Sequence, residues 1–170
     1  MNAFKEIKAQ ELKINPFEMI GTDWMLISAK KDEKVNTMTA SWGGLGVIWN
    51  KNVVTIYIRP QRYTKEFIDN SDTFSVTVLG DEYRKELSYL GTISGRDEDK
   101  IAKTGLTVDE DGNTPYFSEG KVVLICRKLY SQELSKEFFE DTSLINKNYL
   151  KNDFHTMYIG EIVKVLVKEQ

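Results

Sequence analysis

The chain has few of the residues on which many catalytic and metal sites depend, since its 170 residues include one cysteine and one histidine. A single cysteine excludes an internal disulfide and any zinc or iron–sulfur site with several thiolates. Paired-histidine metal sites are excluded too, and a Ser–His–Asp triad would have to use His155 without a serine in a nucleophile-elbow sequence. Cys126 ends the apolar run 122–126, which favours a buried, inert sulfur over a nucleophile. Hydrolase and metal chemistry are therefore not indicated.

Long apolar runs and a strong charge of one sign are also missing. No stretch approaches the roughly 18 apolar residues that a membrane helix needs, and residues 1–6 lack a signal-peptide pattern. Lys and Arg number 23 against 26 Asp and Glu, for a net charge of −3. Nucleic acid and anionic membranes would repel such a chain at long range. We expect a soluble, cytoplasmic protein with neither partner.

The apolar pattern repeats mostly every second residue, which is typical of strands. The predicted strands are 24–29, 36–42, 53–58, 73–79, 121–134 and 155–167. The last two exceed the usual length of about 5–6 residues, and long, twisted strands favour a barrel over a flat sheet. Helices are predicted at 63–70, 81–91 and 94–105, and residues 135–153 are predicted to form an irregular excursion with some helix. Residues 1–170 are expected to form one mainly β domain with a few helices.

The glycine-rich run 43–46 does not complete a dinucleotide-binding motif. Such a motif needs a following helix whose N-terminus faces a pyrophosphate, whereas strand-like residues follow here. The run therefore indicates a tight turn or close packing of the backbone.

The predicted strand 36–42 has two chemically different faces. Alternation places three hydroxyls on one face and three apolar side chains on the other. The hydroxyls belong to Thr37, Thr39 and Ser41, and the apolar side chains to Met38, Ala40 and Trp42. The pattern fits either an ordinary amphipathic strand, because threonine is a good strand former, or a strand that offers donors and acceptors to a flat polar heterocycle.

Three further segments combine cations, hydroxyls and the lone histidine. Residues 59–64 carry two of the chain's five arginines beside a rigid proline, and arginine matches phosphate oxygens bidentately. Residues 94–100 place a serine, a glycine and cations at a predicted helix start. Either segment could instead be a solvated turn or an ordinary capped helix. His155 enters the last strand, where a structural or surface role is the alternative to a catalytic one.

These four segments together resemble the flavin reductase-like family of FMN-binding split β-barrels, which includes the flavoredoxins. The matching residues are Asn36-x-Met38-Thr39-Ala40-Ser41-Trp42, Arg59-Pro60-x-Arg62-Tyr63-Thr64, Ser94-Gly95-Arg96-Asp97-x-Asp99-Lys100 and His155-x-x-Tyr158-Ile159-Gly160-Glu161-Ile162. Their order and spacing cover about residues 17–165. Residues 153–155 depart from the commoner Gly-Asp-His form of the last motif.

The resemblance implies a Greek-key split barrel, a homodimer and FMN bound near the subunit interface. The FMN-binding residues that it implies are Asn36, Met38, Thr39, Ala40, Ser41, Trp42, Arg59, Arg62, Tyr63, Thr64, Ser94 and Lys100. Residues 38–42 would lie along the flavin ring, the segment 59–64 would hold the phosphate with help from Ser94 and Lys100, and His155 would be the catalytic residue near the flavin or the nicotinamide.

The activity that the resemblance implies is transfer of hydride from NADH or NADPH to FMN, which then passes electrons to an acceptor. One alternative is a flavoredoxin-like electron carrier with tightly bound FMN that a protein partner reduces. Another is a β-barrel binding module without redox function, in which the arginines bind a different anion.

Overall fold

Antiparallel strand pairing organises the chain, whose computed structural model describes residues 3–169. The strands are β1 (Phe4–Ile7), β2 (Met25–Lys31), β3 (Lys34–Ala40), β4 (Gly43–Ile48), β5 (Lys51–Ile58), β6 (Thr73–Val78), β7 (Val108–Asp111), β8 (Thr114–Phe117), β9 (Val122–Glu133) and β10 (Thr156–Lys168). Eight form one sheet in the order β3-β2-β6-β9-β10-β5-β4, with β1 also paired to β10, and β7 and β8 form a separate ribbon.

The two long strands lie in the middle of the sheet order. β9 and β10 pair along most of their length, with irregularities at Ile159/Gly160 and Ile162/Lys164. The first half of β10 also pairs with β5 and its last residues pair with β1. Bulges of this kind increase strand twist, which lets one strand serve different neighbours along its length.

All six predicted strands are confirmed to within three residues, but four short strands were not predicted. The run 43–46 is part of β4 rather than a turn. A Cβ on Gly43 would lie 2.7 Å from the Thr55 carbonyl oxygen, so the close backbone packing expected for this run is present at Gly43. The tight turn follows at Trp49 and Asn50, which have φ of 53° and 54°.

Short helices connect the strands. They are α1 (Pro16–Glu18), α2 (Thr64–Asp69), α3 (Arg84–Thr92), α4 (Lys100–Thr104) and α5 (Ser143–Asn148). The predicted helices at 63–70 and 81–91 correspond to α2 and α3, whereas α4 begins only at Lys100, because the Asp99 carboxylate caps it by accepting from the Ala102 N–H. None of the helices within residues 3–169 is long and apolar enough to cross a membrane.

The core lies between the inner faces of the sheet and α2. Its largest fully buried side chains include Tyr158, Phe67 and Phe74. Cys126 belongs to this core and is fully buried, which confirms the predicted position of the thiol, and burial raises its pKa. Leu87 and Leu90 of α3 pack into a second cluster with Leu26 of β2. The Thr39 hydroxyl near the end of β3 also donates to the Leu87 carbonyl, which places α3 beside the end of β3.

Candidate functional site

β3 lies at one end of the sheet order, and no strand within residues 3–169 pairs with its outer backbone edge. The two-residue turn before β3, Asp32 and Glu33, has positive φ at both positions. In hairpins of this kind the two residues that flank the turn form two backbone hydrogen bonds with each other. Because bonded and non-bonded pairs then alternate along the ladder, the peptide groups of Thr37 and Thr39 face the free edge. This edge can bind the polar rim of a planar ligand.

The threonine hydroxyls of β3 are used within the protein. The Thr37 hydroxyl accepts from the Ser28 hydroxyl at 2.9 Å and donates to the Ile27 carbonyl, and all three groups are buried. The Thr39 hydroxyl donates to the Leu87 carbonyl of α3 at 2.5 Å. Ser41 alone of the three is exposed, so the face of three free hydroxyls that the strand pattern suggested is not present.

The apolar residues of this segment differ in how exposed they are. The Met38 side chain is buried in the core, so only its backbone can contact a ligand. Trp42 is 49% exposed and its ring lies 5.2 Å from the His155 ring, centroid to centroid. The end of β3 therefore offers peptide groups, one free hydroxyl and one indole.

Two cations meet at the C-terminal end of α3. Arg62 donates to the Gly91 carbonyl at 2.7 Å and to the Thr39 carbonyl at 3.2 Å. Lys100 is 3% exposed and its Nζ donates to the Leu90 carbonyl at 2.7 Å. The last carbonyls of a helix carry partial negative charge, which explains why both cations lie there.

Neither cation has a carboxylate partner among residues 3–169. Burial, and secondarily Arg62, lower the pKa of Lys100 to about 8. Burial and the nearby Arg59 also lower the pKa of the Arg62 guanidinium. One buried and one half-buried positive charge, with no carboxylate partner in the described part of the chain, form a site that an anion would stabilise.

A tight cluster connects β3, the start of α2 and the loop before α4. The Asn36 side chain donates to the buried Thr64 hydroxyl at 2.9 Å. The Tyr63 ring lies under the guanidinium of Arg96, 4.6 Å from its centre. A Cβ on Gly95 would come within 2.3 Å of the Asn36 amide oxygen. The segments 59–64 and 94–100 are thus brought together as predicted, and the Ser94 hydroxyl accepts from the Arg96 N–H within its own loop.

Arg59 is engaged elsewhere. Its guanidinium donates to the Asp153 carboxylate at 2.7 Å and to the Asn148 carbonyl at 2.9 Å, and it lies over the Tyr149 ring. Arg59 therefore ties the excursion 135–153 to the end of β5, and its predicted contact with a phosphate stays a prediction.

His155 lies between this excursion and the end of β3. It is 7% exposed, and its Nδ1 is 2.7 Å from the Tyr149 hydroxyl. Burial lowers its pKa to about 4, with Arg59 and Arg62 adding to the effect and Asp153 opposing it. The imidazole is therefore neutral at pH 7 and cannot act there as a proton-bearing imidazolium.

Three cavities surround these groups. A groove of about 220 Å³ lies between the end of β3 and α3 and is lined by Thr39, Ala40, Ser41 and Arg62. A second, of about 580 Å³, is lined by Asn36, Gly95 and Lys100 together with α4. A third, of about 440 Å³, lies on the far side of Ser41 and is lined by Trp42, Phe17 and Tyr57. The predicted residues thus surround neighbouring spaces and do not line one closed pocket.

Trp24 was not predicted as a site residue, although it lines the groove with Ser41 and Arg62. Its φ of 72° and ψ of 164° lie in a region that glycine alone adopts readily. The Arg84 guanidinium lies 3.3 Å from the centre of its indole ring and donates to the Thr22 carbonyl. A strained aromatic residue that is held in place beside a groove is a binding candidate, and no local sequence pattern signals it.

Comparison with known proteins identifies the family. A family model described as "Flavin reductase like domain" matches residues 18–170. The chain belongs to this family. A protein of Archaeoglobus fulgidus described as uncharacterized is 29% identical over 135 residues, which are 78% of this chain and 66% of that protein. The chain thus spans slightly under two thirds of that relative.

Solved structures of this family have the same fold. The FMN-binding domain of a flavin reductase-like enzyme from Shewanella baltica superposes with a TM-score of 0.72 at 16% identity, over 98% of this chain and 78% of that one. Flavoredoxin from Methanosarcina acetivorans gives 0.67 at 24% identity, over 95% and 77%. A Streptomyces globisporus NADH:FAD oxidoreductase gives 0.64 at 17%, over 85% and 73%. The predicted fold class, a mainly β Greek-key split barrel of the FMN-binding type, is confirmed.

Proposed function

We propose that this member of the flavin reductase-like family binds FMN at the end of β3 and works as an NAD(P)H-dependent oxidoreductase. The observation that carries the proposal is the pair of the half-buried Arg62 and the buried Lys100, two cations without a carboxylate partner among the described residues. A phosphate group is the anion that this family's cofactor would bring. The residues present therefore fit FMN.

Each part of the site has a separate task in this proposal. Bound FMN would supply the redox chemistry, because its ring accepts hydride or electrons while the protein provides binding, orientation and electrostatics. Arg62 and Lys100 hold the phosphate, since charge-assisted hydrogen bonds to oxyanions are the strongest that a protein makes. The peptide groups of Thr37 and Thr39 bind the polar rim of the ring, and Ser41 and Trp42 border it. His155 contributes a neutral ring, not an acid.

The proposed cofactor is tested by the visible absorption spectrum of the purified protein, followed by release and identification of any chromophore. We expect flavin bands and FMN, or uptake of added FMN by a colourless protein. FMN should bind more tightly than riboflavin because riboflavin lacks the phosphate. A protein that binds neither flavin would contradict the proposal and favour a binding module without redox function.

A flavoredoxin-like electron carrier is the second candidate function. Val47 and Trp49 at the end of β4 are 73% and 52% exposed, and Tyr130 of β9 lies beside Trp49. Exposed apolar groups of this kind suit contact with another protein. Anaerobic addition of NADH or NADPH separates the candidates, since a reductase bleaches its flavin at a catalytic rate and a carrier needs a protein donor.

We also propose that the protein is a homodimer with FMN near the interface. The groove between β3 and α3, at about 220 Å³, is smaller than the roughly 300–1,000 Å³ typical of small-molecule sites. Phe17, beside the third cavity, is 86% exposed, so a second copy could cover this side and enclose the ligand. Light scattering at micromolar concentration tests this, and a monomer that binds FMN fully would contradict it.

A further inference from the structure

An aromatic cluster connects the excursion 135–153 with the end of β3. Tyr149 stacks on Phe154 with ring centres 4.7 Å apart, and Phe139 packs against both. On its other side the Tyr149 ring meets the edge of His155, which in turn lies beside Trp42. The only polar contact between side chains inside this cluster, within the described part of the chain, joins the Tyr149 hydroxyl to His155 Nδ1 at 2.7 Å.

The direction of this hydrogen bond follows from the partners available. The Tyr149 side chain is buried, and burial raises its pKa, so the phenol keeps its proton. Among residues 3–169 the hydroxyl has no other acceptor within hydrogen-bond distance. If Nδ1 carried the imidazole proton and donated it, the phenolic proton would be left without a partner in the interior. The phenol is therefore the donor and Nδ1 the acceptor.

The charges around the pair favour the same arrangement. The Arg59 guanidinium lies over the Tyr149 ring, 5.1 Å from its centre, and opposes the upward effect of burial on the phenol's pKa. Asp153 lies beyond it and is bonded to Arg59. Arg59 and Arg62 both oppose a positive charge on His155, and Asp153 compensates only in part. A neutral imidazole that accepts at Nδ1 must carry its proton on Nε2.

We propose that Tyr149 is a positioning residue that fixes His155 as the neutral tautomer with its proton on Nε2. No partner within residues 3–169 bonds Nε2, and this atom is not sealed from solvent. This nitrogen is then a permanent N–H donor, able to bind a carbonyl or ring acceptor of a ligand. If the proposed flavin function holds, on which this last step rests, His155 serves it as a neutral donor and not as a general acid.

The single histidine makes the test direct. Protein labelled with ¹⁵N-histidine and freed of flavin contains one imidazole, so a long-range ¹H–¹⁵N spectrum at pH 7 reports His155 alone. We expect an unprotonated Nδ1 and a protonated Nε2, with no tautomer averaging, and a titration midpoint well below 6.5. A protonated Nδ1, or averaged signals, in the unmodified protein would overturn the proposal.

Tyr149→Phe removes one oxygen and keeps the ring stack. We expect tautomer averaging and a rise of the His155 pKa by about one unit, the size expected for loss of one net hydrogen bond to the neutral form. Tyr130→Phe, which removes an exposed hydroxyl bonded to Gln132, is the matched control and should change neither. An unchanged His155 spectrum in a folded Tyr149→Phe protein would contradict the assignment, and should that variant not fold, the spectrum of the unmodified protein still decides.

The outcome is independent of cofactor binding. A protein with the expected tautomer that binds no FMN would refute the proposed function and support the role of Tyr149. A protein that binds FMN but shows the other tautomer would do the reverse.

Discussion

Replacing Lys100 by methionine should stabilise the ligand-free protein and weaken FMN binding at the same time. Lys100 is 3% exposed, and burial lowers its pKa from 10.5 to about 8. That gap corresponds to about 3 kcal/mol of unfavourable free energy for the charged form at pH 7. Methionine has a similar shape and no charge, but it gives up the hydrogen bond to the Leu90 carbonyl, which is worth about 1 kcal/mol. The net gain in the free energy of unfolding should be about 1–2 kcal/mol.

FMN binding should change in the opposite direction. A charged hydrogen bond to a phosphate contributes about 1.5–3 kcal/mol, so the affinity of Lys100→Met for FMN should fall about 10- to 100-fold. The affinity for riboflavin should stay the same, because riboflavin has no phosphate. Lys103→Met is the matched control, since Lys103 lies on the same helix with a side chain 58% exposed. It should alter stability by no more than about 0.5 kcal/mol.

The pH dependence of stability provides a second test of the same account of Lys100. The pKa of Lys100 is lower in the folded state than in the unfolded state, so between pH 8 and 10.5 the unfolded chain binds more protons. Stability therefore rises with pH across this window, and the rise should be missing in Lys100→Met. Urea unfolding at pH 7 and pH 10 measures both effects. A variant that is less stable than the unmodified protein and binds FMN normally would refute the account of Lys100 as an uncompensated buried charge.

Three further predictions concern other parts of the molecule. Arg59→Ala should lower stability by about 1–3 kcal/mol and weaken binding of FMN and riboflavin alike, because Arg59 forms an ion pair with Asp153. A loss of affinity for FMN alone would instead make Arg59 a phosphate ligand. Gly160→Ala should cost about 1–3 kcal/mol in denaturant unfolding, because its Cβ would lie 2.5 Å from a buried phenyl ring, whereas Gly46→Ala meets nothing within 4 Å. The His155 pKa of about 4 should make stability fall from pH 6.5 towards pH 4 by up to about 3 kcal/mol, and His155→Asn should lack this part of the slope.

Six of the strands could be predicted because each of the six has a local signal. Apolar and polar residues alternate along 53–58 and 155–167 because one face of the sheet is buried. A strand keeps this two-residue period wherever one of its faces packs against the core. β1 and β4 could not be predicted in this way. Gly43–Ile48 has glycine at three positions and exposes Val47, so its strand conformation comes from pairing with β5 and not from its own side chains.

The candidate site was only partly accessible from sequence for a related reason. The segments that meet around Asn36 and Tyr63 could be named, because they match a family pattern. Which of their groups are free could not be known, since the partner of Arg59 is Asp153, 94 positions away, and the partner of the Thr39 hydroxyl is a helix carbonyl 48 positions away. Contacts between residues so far apart in sequence depend on the tertiary fold, and the local spacing of residues does not indicate them.

The end of α3 explains how the site can keep two positive charges before a ligand arrives. A helix concentrates about half a negative charge on its last carbonyls, and here the carbonyls of Leu90 and Gly91 each accept from one cation. This partial charge is too small to neutralise Arg62 and Lys100, which is why burial still lowers both of their pKa values. It is enough to hold both side chains in fixed positions, so little side-chain freedom remains to be lost on binding. In a chain of net charge −3, the proposed anion would therefore be bound because the local site is pre-organised and positive, and not through attraction by the molecule as a whole.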